Sequence, residues 1–92
     1  MGRVVVIAKI LPEDVDMQPE SIVEKVKNNL PAGIYEVVRS RVEPVAFGIN
    51  AIYLWIAMPE TIEGGTYDLE NRLSAIEGIS QVDIVSVSRL IE

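Results

Sequence analysis

The chain has 92 residues, of which 49% are apolar, with no cysteine, no histidine and a net charge of -6 at pH 7. That length buries a single two-layer core and leaves no room for a second. The missing residue types exclude a disulfide frame, a thiolate nucleophile, a zinc ribbon and the commonest general base, while the eight scattered basic residues exclude the clustered cations that bind phosphate backbones.

In chain order, "RVVVIAKI" (residues 3–10) predicts a first strand. Val4, Val6, Ala8 and Ile10 lie on one face and Arg3 and Lys9 on the other. The loop "LPEDVDMQPE" supplies Asp16 as a helix cap, Pro19 for a first turn and Glu20 beside the positive end of the helix dipole. The first helix then runs to about Leu30 on the stripe Ile22, Val23, Val26 and Leu30, and Pro31 and Gly33 stop it.

A long second strand, "IYEVVRSRVEPVA", has Val37 and Val38 adjacent, which breaks the alternation and predicts a bulge; Pro44, unable to donate to a ladder, marks its end. In "NAIYLWIAM", Ile52, Leu54, Ile56 and Met58 share one face, and Ala51, Tyr53, Trp55 and Ala57 the other, as expected of a central strand. Thr66 is the expected cap of a second helix with Asp68 and Glu70 in its first turn, a stripe of Leu69, Leu73 and Ile76, and Gly78 as its stop. The last strand, "QVDIVSVSRL", changes parity between Val82/Ile84 and Val85/Val87, so a bulge or two partly buried faces is expected.

The order β-α-β-β-α-β with two amphipathic helices predicts the α+β ferredoxin-like sandwich. Right-handed crossovers put both helices on one face of a four-stranded antiparallel sheet and leave Tyr53 and Trp55 on the other. Fold alone assigns no activity. The acids Glu13, Asp14 and Asp16 lack the spacing and the glycine of a calcium loop, and read as a solvated loop with a cap. "EGGT" carries no lysine and has Glu63 immediately before its glycines, which disfavours a phosphate cradle; the arginine-free first loop disfavours an acylphosphatase-like enzyme. Tyr53 and Trp55 alternate as stacking aromatics do in RNA-recognition sheets. The accompanying basic motif is missing, so a protein contact is the expected use of that face. With no His or Cys, no covalent catalysis, metal site or cofactor is expected. The run "VVVIAKI", broken by Lys9, is no signal segment, and no stretch approaches a membrane span, so the expectation is one cytoplasmic domain over residues 1–92 with no membrane association.

Four landmarks, the opening "MGRVVVIAKILPE", the segment "EPVAFGINAI", the "EGGT" before helix two and the ending "IEGISQVDIVSVSRLIE", together resemble the archaeal elongation factor 1-beta family. They also resemble the C-terminal exchange domain of its eukaryotic counterparts. "P-V-A-F-G-I" is the most specific of them. The resemblance implies a translation factor that promotes exchange of GDP for GTP on elongation factor 1-alpha, regenerating the form that binds aminoacyl-tRNA. It further implies that one end of the molecule, bearing both the Phe-Gly-Ile turn and the C-terminus, meets the GTPase domain, with a basic residue near the C-terminus reaching the magnesium and phosphate region. Carried over by position, Phe47 would be an apolar plug, Gly48 the bend beneath it, Ile49 its neighbour, and Arg89 the counterpart of the eukaryotic lysine. Another surface, for which Tyr53 and Trp55 are candidates, would contact the second GTPase domain. The alternative is an ACT-like small-molecule-binding regulatory module on the same fold. Its ligand loop between strand one and helix one carries a glycine that "LPEDVDMQPE" lacks.

Overall fold

Six elements follow in the order β1 (Arg3–Pro12), α1 (Pro19–Asn29), β2 (Glu36–Ala46), β3 (Ile49–Pro59), α2 (Thr66–Ser74) and β4 (Ile79–Arg89). A computed structural model describes residues 2–31, 33–46, 48–60 and 65–89. The strands form one sheet in the order β2-β3-β1-β4, with every neighbouring pair antiparallel. This is the ferredoxin-like architecture expected from the element order.

Register decides which face is the core. Val6 stands opposite Ile56, Ala8 opposite Leu54 and Ile10 opposite Ile52, and all six side chains are fully buried. Ile22 and Val26 of α1 and Leu69 and Leu73 of α2 close over them, so both helices cover the same face. The stripes at helical spacing and the alternation in β1 and β3 thus meet in one cluster, burying apolar area that each element alone would leave wet.

Two bulges fall where the alternation breaks. Between Val37 and Arg39 the pairing with β3 skips Val38, and between Ile84 and Ser86 the pairing with β1 skips Val85. Both skipped valines are exposed. The extra residue keeps Ile84 on the core face while Ser86 faces away with Ile7.

Several expected boundaries move. Strand β2 begins at Glu36, because the N–H groups of Ile34 and Tyr35 are taken by the carbonyl of Pro31 in a turn. Pro44 does not end β2, which runs on to Ala46 with an irregularity between Pro44 and Ala46. As an outer strand, β2 has one side free of ladder bonds, where a proline is tolerated. Asp16 is not the cap of α1. Gln18 holds that position without a side-chain bond, Pro19 opens the helix, and the Asp16 N–H donates instead to the Asp14 carboxylate at 3.0 Å. Thr66 is the first residue of α2 and Gly65 its cap position.

Helix α2 ends at Ser74 rather than at Gly78. Gly78 lies in the turn into β4, where its N–H donates to Glu13 Oε1 at 3.0 Å and its carbonyl accepts from the Glu13 N–H at 2.9 Å. This pair of bonds ties the exit of β1 to the entrance of β4. It also gives one acid of the "EDVD" loop a structural task.

A second tie joins the turn before β2 to α2. The hydroxyl of Tyr35, a residue only 5% exposed, donates to Asp68 Oδ2 at 2.6 Å, and Arg72 Nε donates to the same oxygen at 2.8 Å. Burial, reinforced by the hydrogen bond to Asp68 and its charge, pushes the Tyr35 phenol up to about 12. The Tyr35 hydroxyl, followed by the Arg72 guanidinium, holds the Asp68 carboxyl below its ordinary range.

Leu54→Ala, which empties a fully buried site in a central strand, is expected to cost about 3 kcal/mol of unfolding free energy in a urea titration. Tyr35→Phe is expected to lower the thermal midpoint at pH 7 by about 5 °C. A phenol raised in the folded state stabilises it fully below its unfolded value near 10 and loses that contribution as pH climbs towards about 12. Depression of Asp68 has the opposite sense: its contribution is present above the ordinary carboxylate range and lost as pH falls through the folded value. Thermal midpoints measured across pH should therefore fall at both extremes, and Tyr35→Phe should flatten the alkaline fall.

Candidate functional site

The antiparallel sheet places the candidate residues in three locations. At one end, the β2–β3 turn carries Gly48 and Ile49, with Ala46 paired to Ile49. Gly48 has φ of +80° and is exposed, a left-handed conformation that residues with a Cβ adopt only at a cost. Phe47, the residue expected to project from this turn, lies outside the described residues, as do Glu63 and Gly64 of "EGGT".

Arg89 occupies the opposite end. Strand β4 starts beside the finish of β1, with Ile79 opposite Pro12, and ends beside its start, with Arg89 opposite Val4. Strand β3 starts at the turn and ends beside that same Val4, which faces Met58. The turn and Arg89 are therefore separated by the length of β3, ten residue steps or about 33 Å. The expectation that the turn and the C-terminal cation share one end is corrected by this topology: with direction alternating across the order β2-β3-β1-β4, β4 runs opposite to β2 and their last residues lie at opposite ends of the sheet.

Arg89 projects into solvent, its side chain 78% exposed, with Nη2 at 3.4 Å from Oε2 of Glu60 just beyond β3. It is an accessible permanent cation on an acidic protein. Sequence pattern brings Arg89 into view only as a strand-end charge. Glu60 escapes notice because its partnership depends on the register of β1 against both neighbours.

Tyr53 and Trp55 stand midway between these ends on the open face, both half-buried. Arg39 lies over the Trp55 ring with its guanidinium carbon 4.9 Å from the centroid, a cation–π contact across the β2–β3 pair. Ile7, Arg41, Glu43, Tyr53, Trp55 and Val85 line a shallow depression of about 260 Å³. Arg41 is paired with Glu43 at 2.6 Å, and Arg3 with Glu36 at 3.7 Å. By register, four of the eight basic residues (Arg3, Lys9, Arg39 and Arg41) belong to this face, against Glu36, Glu43 and Asp83 among the acids. The open face is thus close to neutral in an otherwise acidic chain, and it pairs the Trp55 ring with the Arg39 guanidinium.

Among the described residues, no group of three or more His, Cys, Asp or Glu side chains is placed to hold a metal ion, and no buried side-chain polar atom lacks a partner. No helix among them is long and apolar enough to cross a membrane. What the surface offers is two accessible ends and an aromatic face between them.

Residues 5–90 match the family model of the EF-1 guanine nucleotide exchange domain. The chain is 46% identical over 90 residues to the Elongation factor 1-beta of Staphylothermus marinus, an alignment that covers 98% of this chain and 99% of that protein. The Elongation factor 1-beta of Aeropyrum pernix gives the same identity and coverage. That of Ignicoccus hospitalis is 44% identical over 90 residues, 98% of this chain and 95% of that protein.

Because no heavy atom of the described residues beyond its chain neighbours comes within 4 Å of a Cβ built on Gly48, Gly48→Ala meets only the conformational cost of its backbone. The expected loss is about 1 kcal/mol in chemical denaturation, with Gly48→Asn less affected.

Proposed function

The chain belongs to the family of the EF-1 guanine nucleotide exchange domain, and from that premise we propose that it is a translation elongation factor acting on elongation factor 1-alpha. It promotes the exchange of GDP for GTP there, as a single exchange domain working in the cytoplasm. The observation that carries this reading is the near end-to-end similarity to proteins named Elongation factor 1-beta.

Exchange requires no bond to be made or broken. A factor that binds the GTPase better without nucleotide than with it weakens nucleotide binding by the same free energy, because linkage is reciprocal. The residues that matter are those whose contacts exist only in the open, nucleotide-poor state.

Two such contacts are assigned. Arg89 is brought to the magnesium and phosphate region of the GTPase, where a permanent cation competes with the metal. At about 4 Å from a like charge and an effective dielectric near 20, the gross interaction is on the order of 4 kcal/mol. At the other end, Phe47 with Gly48 and Ile49 enters an apolar site on the partner, where burying one ring is worth about 1.5 to 3 kcal/mol. The separation of the turn from Arg89 by the length of β3 supports a two-point grip on separate regions of the partner. Tyr53 and Trp55, with Arg39 stacked above, are assigned to a contact between those points, facing the second domain of the GTPase.

Release of a fluorescent GDP analogue from elongation factor 1-alpha tests the proposal. Micromolar concentrations of this protein should accelerate release at least tenfold, and Phe47→Ala and Arg89→Ala should each reduce that acceleration while leaving the folded domain intact. Unaltered release on adding the wild-type protein would refute the activity. Unaltered acceleration by both variants would refute the assigned contacts.

A further inference from the structure

The guanidinium of Arg89 meets the carboxylate of a residue whose main chain is tied to the start of β1. Glu60, immediately after β3, donates its main-chain N–H to the carbonyl of Gly2 at 3.2 Å. Its carboxylate lies directly against that glycine: a Cβ at position 2 would fall 2.5 Å from Oε1 and 2.8 Å from Oε2. The Glu60 side chain is 26% exposed and that of Arg89 78%. One partner of the ion pair is seated on the sheet end and the other projects from it.

An exposed ion pair of this kind contributes little to folding. Its larger effect is on the conformational freedom of the arginine. A free arginine samples many rotamers, and a partner that binds it must freeze them. Glu60 engages one terminal nitrogen of the guanidinium, Nη2, and the guanidinium has five donors in a planar fork. With one corner so engaged, the fork has further donors that no other described residue pairs, and these can meet a second anion.

We propose that Glu60 is the positioning residue for Arg89: lying beside Gly2, its carboxylate holds the guanidinium at the end of β4 so that its other donors meet carboxylate or phosphate oxygens of the partner. The role rests on the reading of Arg89 as a partner contact. Glu60 itself needs no contact with the nucleotide or the metal. Gly2, at the opposite edge of the same seat, is the residue whose missing side chain makes room for it.

The test is a double-mutant cycle in the GDP-analogue release assay, with the factor titrated to saturation for the wild type, Glu60→Gln, Arg89→Ala and the double variant. Glu60→Gln should raise the half-saturating concentration about 2- to 10-fold with little change in the saturating rate, and it should add nothing in the Arg89→Ala background. An equal loss with and without Arg89, or no loss at all, would overturn the positioning role. If Arg89→Ala slows exchange while Glu60→Gln is silent, only this inference fails. If Arg89→Ala is itself silent, the contact reading fails and takes the inference with it.

Discussion

Antiparallel pairing of β1 with both β3 and β4 is the constraint on which the rest of the structure depends. It stacks Val6, Ala8 and Ile10 against Ile56, Leu54 and Ile52 in one fully buried layer, and that layer is the floor on which both helices sit. The same pairing orients the ends. Once β4 runs against β1, its last residues must emerge where β1 begins and β3 finishes, which brings Arg89 to Glu60 and Gly2. A one-residue slip of register would turn the core stripe outward and separate these three residues at once.

On the proposed reading, a sheet gripping the partner at its two ends would suit the thermodynamics of exchange. The binding energy must be spent on a state of the partner that differs from the nucleotide-bound one, and a stiff spacer makes that difference geometric. If two regions of the GTPase have to stand a strand length apart to be gripped together, nucleotide release and factor binding become one equilibrium. The ties from Glu13 to Gly78 and from Tyr35 to Asp68 fall on connections between elements, where the domain would otherwise flex. On the same reading, the acidic surface would speed encounter with a partner that presents basic patches, and the nearly neutral aromatic face would limit the desolvation needed at contact.

Much of this fold was legible in the sequence because its signals are local. Alternation in β1 and β3 and the stripes Ile22/Val26 and Leu69/Leu73/Ile76 report burial directly, and the adjacent valines at 37 and 38 and the parity change around Val85 report the bulges. Helix ends were less legible. Asp16 and Thr66 have the right chemistry for caps, yet Pro19 and Gly65 set the geometry, and the carboxylate of Asp14 had already claimed the N–H of Asp16. For the site, single residues could be named by resemblance, but their mutual placement could not. Whether Arg89 lies near Gly48 depends on strand direction across the whole sheet, and Glu60 becomes meaningful only once three strands are in register. Pairings across 29 residues, as between Glu60 and Arg89, leave no mark on local periodicity.

The two-ended grip is tested most directly by amide chemical-shift mapping of the isotopically labelled protein as nucleotide-free elongation factor 1-alpha is added. The expected result is perturbation in two separate clusters, one at Gly48, Ile49 and Asn50 and one at Gly2, Glu60 and Arg89, with the helix-facing amides of α1 and α2 little affected. Perturbation confined to one end of the sheet would contradict it.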